Sequence, residues 1–389
     1  MTTHSLSMLA VAVSVAVSAT SVQAAEQASG VKADKNIEQI SVLGSRVANR
    51  TATESTSPVD LIDADDLNKG GFTELGQSLQ ATAPSFNFSR TQVSDGSDLF
   101  RPATLRGLQP DQTLVLINGK RRHNQSIFGL NGTVGAGAAG TDMNAIPLTA
   151  LKGVEVLRDG AAAQYGSDAI AGVINLSLND STGVTTGYVQ AGSTGEGDGD
   201  TLSMGLNRGF DLGDEGGFIN FSLEYRDADG TNRAQRDIGG SVDVPAGTLS
   251  DEVRWGQGNA DSEFTSVFYN MALPLGESEL YSFGGYSNRT ALGNGFYRNF
   301  DQAAKNVVQV YGDGFLPRID NEAEDISFSL GLRGELNPDW SYDVSAVYGE
   351  NSYDFNSKNT LNASYAAEYV ANNPGASDAD IAANAGPSG

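Results

Sequence analysis

The chain has 389 residues and a formal net charge of −24, from 24 Lys and Arg against 48 Asp and Glu. A surface this acidic repels a phosphate backbone, so we expect no nucleic-acid partner. Cysteine is absent, which excludes disulfides and thiolate metal sites. Glycine makes up 47 of the 389 residues, about 12% against roughly 7% in an average chain. The composition therefore departs from that of an ordinary soluble chain.

The N-terminus has the pattern of an export signal. Residues 6–17 are nearly all Leu, Met, Ala, Val and Ser, and Val22-Gln23-Ala24 ends the run with a small-x-small pattern. The run is too short to cross a bilayer. We predict a signal peptide over residues 1–24, although no Lys or Arg stands among the first five residues. The alternative is an apolar N-terminal helix of a cytoplasmic domain.

A polar segment without periodicity follows and predicts a flexible leader over residues 25–56. It contains one short apolar island, which consists of Ile37, Glu38, Gln39, Ile40, Ser41, Val42 and Leu43. The β-branched residues favour an extended backbone, and an extended segment can add a strand to the sheet edge of another protein. The alternative is the first strand of the domain that follows.

Residues 57–178 have the pattern of a compact α/β domain. A strand is predicted at residues 59–62, and Asp63 or Asp65 can cap a helix that would carry Leu67, Leu75 and Leu79 to a stop near Pro84. The dipeptide Asn118-Gly119 predicts a tight β-hairpin. Five glycines between residues 129 and 142 predict a loop.

Four short motifs in this domain carry a resemblance to a known family. They are Leu105-Arg106-Gly107, Ile117-Asn118-Gly119, Val156-Leu157-Arg158-Asp159-Gly160 and Gly172-Val173-Ile174-Asn175, in that order. In combination they resemble the plug domain of TonB-dependent outer-membrane receptors. The resemblance implies that residues 37–43 are the TonB box, the segment that binds TonB.

The resemblance also implies roles for charged residues. Arginines of these motifs hold the plug of such receptors against glutamates of the barrel, so Arg106 and Arg158 are predicted latches between the two domains. Glu155 is included in the latch, although it could instead pair with one of these arginines inside the plug. The basic cluster Lys120-Arg121-Arg122-His123 either meets an anionic ligand or balances acidic neighbours, and the charge of the chain favours the second interpretation.

After Asn179 the apolar residues recur with period two. The alternation is clearest over residues 201–212, 219–226, 265–273, 326–332 and 340–348. Runs of about ten alternating residues are typical of transmembrane β-strands, although strands of a soluble sheet alternate too. Short turns alternate with long polar excursions at residues 227–262 and 290–324, which is the rhythm of an outer-membrane barrel. Five aromatic residues suit an interfacial girdle, namely Tyr225, Tyr269, Tyr281, Trp340 and Tyr348.

The pattern predicts about seven strands in residues 179–389. A barrel that houses a plug takes about 22 strands, so seven strands cannot close one. We therefore expect an α+β plug domain over residues 57–178, followed by an incomplete antiparallel transmembrane β-barrel over residues 179–389. We also expect the chain to be the N-terminal part of a longer receptor that is cut within an external loop.

The resemblance implies active transport of a scarce nutrient across the bacterial outer membrane, driven by TonB with the ExbB/ExbD energising complex. Such a protein contacts outer-membrane lipid and a small nutrient ligand. Candidate ligand contacts lie near the plug apex, at Phe128, Leu130, Asn131, Asp142 and Met143. The plug must be able to move, so we expect its contacts with the barrel to be polar and wet rather than a dry hydrophobic core.

No catalytic residues, cofactor or metal site are predicted. His123 is the only histidine outside the signal peptide, which excludes a metal site built on several histidines and a Ser-His-Asp arrangement unless His123 serves it. The residues leave two other functions open, a secreted carbohydrate-active β protein and a passive porin or adhesin. Within the family the ligand could be an iron siderophore or other metal chelate, cobalamin, haem or an oligosaccharide.

Overall fold

The computed structural model describes residues 58–93, 96, 99–130, 133–158, 162–236, 253–337 and 339–384. All of them belong to one compact unit. The predicted signal peptide, leader and TonB box lie outside the described residues.

The N-terminal part is a small α/β domain, called the plug below. Its strands are β1 (Val59–Asp63), β2 (Phe86–Asn87), β3 (Thr104–Leu105), β4 (Thr113–Ile117), β5 (Lys120–Arg121), β6 (Leu151–Leu157) and β7 (Gly172–Leu178), and its helices are α1 (Ala64–Asn68), α2 (Leu75–Thr82) and α3 (Ala162–Tyr165). The main sheet has the order β1-β6-β7-β4-β5. Its strands pair antiparallel except β4 and β7, which run parallel.

The helical segment of the plug differs from the sequence prediction in one respect. Asp63 caps α1 by accepting a hydrogen bond from the backbone of Asp66 at 2.8 Å, as predicted. The prediction of a single helix is wrong, because the structure has two helices separated at Gly70-Gly71. Gly71 has a φ of +64°, a left-handed conformation that ends a helix. Leu67 and Leu79 are both buried.

The predicted hairpin at Asn118-Gly119 is confirmed. Both residues have positive φ, +46° and +77°, as a two-residue type I′ turn requires. The turn joins β4 to β5 and brings the basic residues that follow to the edge of the plug sheet.

The second sheet, called the wall below, has seven strands in the order of the chain. They are β8 (Thr185–Gly192), β9 (Thr201–Leu212), β10 (Gly217–Ala228), β11 (Asp261–Leu275), β12 (Ser278–Asn294), β13 (Arg318–Asn337) and β14 (Trp340–Lys358). Neighbouring strands are antiparallel throughout, and β8 and β14 are the two edges. The predicted fold class, a plug followed by part of an antiparallel barrel sheet, is confirmed in these two parts.

The connections of the wall are short at one end and long at the other. The short connections join β9 to β10, β11 to β12 and β13 to β14, and the long connections join β8 to β9, β10 to β11 and β12 to β13. The polar excursion predicted at residues 290–324 is shorter in the structure, because β12 continues to Asn294 and β13 begins at Arg318. The ends of these strands are polar, so hydrophobic alternation alone underestimated their length.

The wall has an inverted distribution of polarity. Large apolar side chains on its outer face are exposed, among them Leu206, Phe210, Phe221, Leu223, Val267, Ile326, Phe328, Leu330 and Val344. Polar side chains on the inner face are buried, among them Ser203, Asn207, Asn220, Ser222, Ser266, Asn270 and Ser329. A soluble sheet buries its apolar face, so this arrangement is the reverse of the soluble one.

The aromatic prediction is wrong for one residue. Tyr281 lies on the inner face, where it is buried and donates a hydrogen bond to Asp343 at 2.6 Å, so it cannot belong to an outer girdle. Trp340 and Tyr348 are exposed at the outside.

Two helices, α4 (Ala363–Asn372) and α5 (Asp378–Ala383), follow β14. The sequence analysis did not predict them. Val307 from a long loop packs with Ala363 and Ala366 of α4. In the described part of the chain, no helix is both long and apolar enough to cross a bilayer.

The plug core predicts a large cost for truncation of a central side chain. Leu79 of α2 is fully buried, so Leu79→Ala should lower the free energy of unfolding by about 2–5 kcal/mol. Leu108→Ala is the control, because Leu108 is 38% exposed. Equilibrium denaturation of both variants measures the difference, and equal losses would contradict this assignment of the core.

Candidate functional site: the contact between plug and wall

The basic cluster after the hairpin reaches across to the wall. Lys120 Nζ lies 2.8 Å from Asp343 Oδ2, and the Arg122 guanidinium pairs with Asp325. His123 Nε2 lies 2.9 Å from the other oxygen of Asp325. The interpretation that this cluster balances acidic neighbours is confirmed, and three of its four side chains do so between domains.

The Arg122–Asp325 pair is a buried ion pair, with side chains only 3% and 7% exposed. Burial lowers the pKa of Arg122, and the charge of Asp325 opposes that shift. Asn351 of β14 donates to Asp325 at 3.0 Å, which adds a neutral donor to the carboxylate. An ion pair out of water is favourable only when its remaining groups are hydrogen bonded. The carboxylate of Asp325 meets this condition, whereas the buried Nη1 of Arg122 has no hydrogen-bond partner in the described part of the chain.

A second charged group lies at the other side of the plug, around Glu74 at the start of α2. Arg90 donates to Glu74 at 2.6 Å, and Asn144 donates to it at 3.1 Å. Burial raises the pKa of Glu74, but the charges of Arg101, Arg90 and Arg226 outweigh this effect and lower it to about 2. Glu74 is therefore ionised at neutral pH. Arg226 of β10 donates to the backbone carbonyl of the neighbouring Thr73, and its charge helps to lower the pKa of Glu74.

The third charged contact is the pair of Asp142 in the plug and Arg289 on β12. Both side chains are almost fully buried, at 2% and 6% exposure. The guanidinium of Arg289 also lies over the ring of Phe100, 5.4 Å from its centroid, which is a cation–π contact. The plug is thus joined to β10, β12, β13 and β14 by charged groups.

Neutral polar groups add to the contact. Thr149 donates to Glu224 from its backbone nitrogen at 3.2 Å and from its hydroxyl at 3.1 Å. Asn118 of the hairpin donates to Asn270 at 3.1 Å. Each of these bonds joins the plug to β10 or β11.

The expectation of a wholly polar contact is wrong at one place. Phe268 of β11 and Phe283 of β12 are buried in the same hydrophobic cluster as Ile117 and Leu178 of the plug, and the four side chains line one small gap. An apolar patch therefore joins the plug sheet to the centre of the wall, and the polar contacts surround it.

The predicted latch residues make contacts within the plug. Arg106 donates to the carbonyl of Ala171 at 3.1 Å, and Arg158 donates to Asp60 of β1 at 2.8 Å. Glu155 accepts from Asn175 at 3.3 Å. The latch between these residues and barrel glutamates stays a prediction, and the ion pairs of Arg122 and Arg289 are contacts that it did not include.

The predicted ligand contacts fall into two groups. Phe128 and Leu130 are exposed, at 59% and 40%, and remain candidates. Asp142 and Met143 are buried, because the first pairs with Arg289 and the second packs in the plug core, so a ligand could touch them only if the plug opened. Asn131 lies outside the described residues.

Sequence reasoning missed Glu74, Arg226, Arg289 and Asp325. A signal for Arg226 and Asp325 was present, because each lies at a polar position in phase with an alternating run. No alternating run was recognised around Arg289. The apolar positions face outward, so a charge in the opposite phase must face the plug. In the part of the chain that the structure describes, no three His, Asp or Glu residues converge as metal ligands would.

Comparison with known protein families gives a match in the N-terminal half of the chain. Residues 51–173 match the family model described as TonB-dependent Receptor Plug Domain. Over these residues the predicted resemblance to the plug domain of TonB-dependent receptors is confirmed.

Individual relatives are similar over part of their length. A ferric enterobactin receptor of Pseudomonas aeruginosa is 29% identical over 175 residues, 42% of this chain and 23% of that protein. The ferrienterobactin receptor of Escherichia coli is 29% identical over 261 residues, 66% of this chain and 34% of that protein. The vitamin B12 transporter BtuB of Vibrio cholerae is 26% identical over 295 residues, 72% of this chain and 38% of that protein.

The chain therefore spans well under two thirds of the length of these relatives. Among solved structures, the siderophore receptor PirA from Acinetobacter baumannii aligns with a TM-score of 0.47 and 19% identity, over 79% of this chain and 45% of that one.

The buried ion pair predicts a large loss when its acid is neutralised. Asp325→Asn leaves the buried Arg122 charge without a counter-charge, so the free energy of unfolding should fall by about 3–5 kcal/mol. Asp168→Asn breaks the exposed pair of Asp168 with Arg121 and should cost no more than about 1 kcal/mol. Denaturant titration measures both, and a small loss for Asp325→Asn would show that the pair does not hold the plug.

The lowered pKa of Glu74 predicts that its contribution to stability is lost in acid. Its pKa is about 2 when folded, below the ordinary value of 4.5, so its contribution is complete above pH 4.5 and is lost as the pH falls towards 2. The advantage of the wild type over Glu74→Gln, on the order of 3 kcal/mol, should therefore shrink between pH 5 and pH 2.5. Glu215→Gln in an exposed turn is the control. Hydrogen exchange of α2 measures the effect, and a constant difference over this range would contradict it.

Proposed function

We propose that this chain acts in a TonB-dependent receptor that takes up a scarce nutrient across the bacterial outer membrane. The observation that carries the proposal is the position of the plug domain. It lies against the polar inner face of a wall whose outer face is apolar. Receptors of this family work by moving such a plug, and the chain supplies both the plug and the surface from which it must be released.

The outer membrane is the environment that suits the wall. Apolar side chains at exposed positions of β9–β13 are costly in water and favourable in lipid. The aromatic residues Trp340 and Tyr348 are exposed on the same sheet, where rings of this type suit a membrane interface. Both features support a lipid-facing wall, which the secreted-enzyme alternative would not need.

Energy coupling would enter at the N-terminus. Residues 37–43 are the proposed TonB box, which would pair with TonB while the ExbB/ExbD complex supplies energy. The nearest described element, β1, is an edge strand of the plug sheet. Force from the N-terminal side would therefore reach the plug at an edge, where one neighbouring strand rather than two resists it.

The substrate class follows from the relatives by analogy. Two of them are named for ferric enterobactin and one for vitamin B12. A large metal chelate that is too scarce for passive diffusion is therefore the proposed cargo. The same proposal includes a signal peptide at residues 1–24 and a leader at residues 25–56. It also includes the latch between barrel glutamates and the two arginines Arg106 and Arg158.

Deletion of residues 37–43 from the intact receptor should abolish uptake but not binding. The segment would connect the plug to TonB, whereas the ligand binds at the external end. Uptake and binding of ferric enterobactin and vitamin B12 are measured in cells that lack other receptors for them. Deletion of residues 27–33, another seven-residue part of the leader, is the control. Uptake that survives loss of residues 37–43 would indicate a passive porin instead.

A further inference from the structure

Three glycines on the inner face of the wall lie where the plug, or the segment that joins it to the wall, comes very close. They are Gly205 and Gly209 on β9 and Gly349 on β14. All three have φ outside the left-handed region, so the backbone itself would accept another residue there. Glycine in the interior of a strand is unfavourable and often marks a close approach by another part of the structure. We therefore expect these glycines to leave room for a neighbouring group.

The ring of His123 occupies the space beside Gly349. A β-carbon added to Gly349 would lie 2.5 Å from Cγ and 2.9 Å from Cβ of His123, which is closer than nonbonded carbon atoms pack. On its other side, Nε2 of the ring lies 2.9 Å from Asp325 on the neighbouring strand β13. The ring is thus held between a recess in one strand and a carboxylate on the next.

A second recess lies at Gly205. A β-carbon added there would overlap the Cγ2 methyl of Thr149 in the plug. Glu224 stands directly opposite Gly205 on β10 and accepts a hydrogen bond from the Thr149 hydroxyl at 3.1 Å. Thr149 is therefore held in the same way as His123, by a recess and by a polar side chain on the next strand.

A third recess lies at Gly209, further along the same pair of strands. A β-carbon added there would overlap the backbone carbonyl of Ser181, in the segment that joins β7 of the plug to β8 of the wall. Asn220 stands directly opposite Gly209 on β10 and donates to that carbonyl at 2.9 Å. The combination of recess and hydrogen bond thus recurs on two separate strand pairs of the wall.

We propose that Gly205, Gly209 and Gly349 are positioning residues that determine where the plug sits in the wall. A hydrogen bond tolerates small shifts of its partners, whereas the energy of overlapping atoms rises steeply with displacement. The recesses therefore select one position among those that the polar contacts alone would permit. This inference rests on the proposed function only in giving the moving part a defined resting position. Its test needs neither TonB nor a nutrient, so its outcome is separate from the outcome of the uptake experiment.

The test is amide hydrogen exchange of the intact receptor reconstituted in lipid. Gly349→Ala should displace the segment that follows the hairpin, so the amides of residues 122–125 should exchange about tenfold faster or more, while those of β11 stay unchanged. His123→Gly removes the overlapping ring. The double variant with both changes should therefore exchange at the rate of His123→Gly alone. Gly195→Ala is the control, because an added β-carbon there meets no atom of the described residues within 4 Å.

A second pair of variants makes the test independent of the first. Gly205→Ala should speed the exchange of residues 148–151 in the plug. Thr149→Ser removes the overlapping methyl but keeps the hydroxyl that donates to Glu224. Adding it to Gly205→Ala should recover part of the protection, because Tyr188 of β8 also lies 2.5 Å from the added carbon.

Two results would overturn the proposal. One is exchange in Gly349→Ala and Gly205→Ala that is as slow as in the Gly195→Ala control. The other is an additive effect in both double variants, because relief of an overlap cannot be additive. If Gly349→Ala does not fold, recovery of folded receptor by His123→Gly supports the proposal, and lack of recovery in both pairs contradicts it.

Discussion

The structure depends on one constraint, that the polar face of the wall must be covered by something polar. Every strand from β9 to β13 buries serine, asparagine or charged side chains on its inner face and exposes large apolar or aromatic side chains outside, with Tyr286 as the exposed residue of β12. Buried polar groups are tolerated only when they are hydrogen bonded. The plug meets that requirement because Arg122, Asp142 and Thr149 present complementary groups to the wall. The same constraint explains why the wall alone would make a poor soluble sheet and why plug and wall are best understood as one structure.

The contacts between plug and wall suit a plug that must keep one position at rest and be displaced during transport. A hydrophobic interface gains free energy from area and has no preferred register, whereas a buried ion pair is unfavourable unless its partners meet in one geometry. The pairs Arg122–Asp325 and Asp142–Arg289 therefore fix where the plug sits more than they stabilise it. The apolar patch around Phe268 supplies stability at the centre. Displacement of the plug would leave these charges in a cavity that water can enter, and water lowers the cost of separating them.

Local features of the fold could be predicted from the sequence because their causes are local. The Asn118-Gly119 turn, the Asp63 cap and the alternating strands each depend on a few neighbouring residues. The split of the predicted helix at Gly70-Gly71 shows the limit of that approach, because the prediction gave the spacing of the leucines more weight than the two glycines. The site was largely missed because its contacts join residues far apart in the chain. Arg122 and Asp325 are separated by 203 positions, and no local pattern specifies which strand faces the hairpin. Only the phase of charges within the strands carried that information.

The most direct test uses single spin labels, because none of the 389 residues is a cysteine that would add background labelling. Any cysteine elsewhere in the intact receptor is first replaced by serine. The intact receptor is reconstituted in lipid with one label at a time at residues 326–332 of β13. The measurement compares how often each label collides with oxygen and with a water-soluble nickel complex. Oxygen concentrates in lipid, whereas the nickel complex stays in water. The account predicts high oxygen accessibility at Ile326, Phe328 and Leu330 and low accessibility at Ser327, Ser329 and Gly331, with period two. Uniform accessibility, or the opposite phase, would contradict a wall that faces lipid outside and the plug inside.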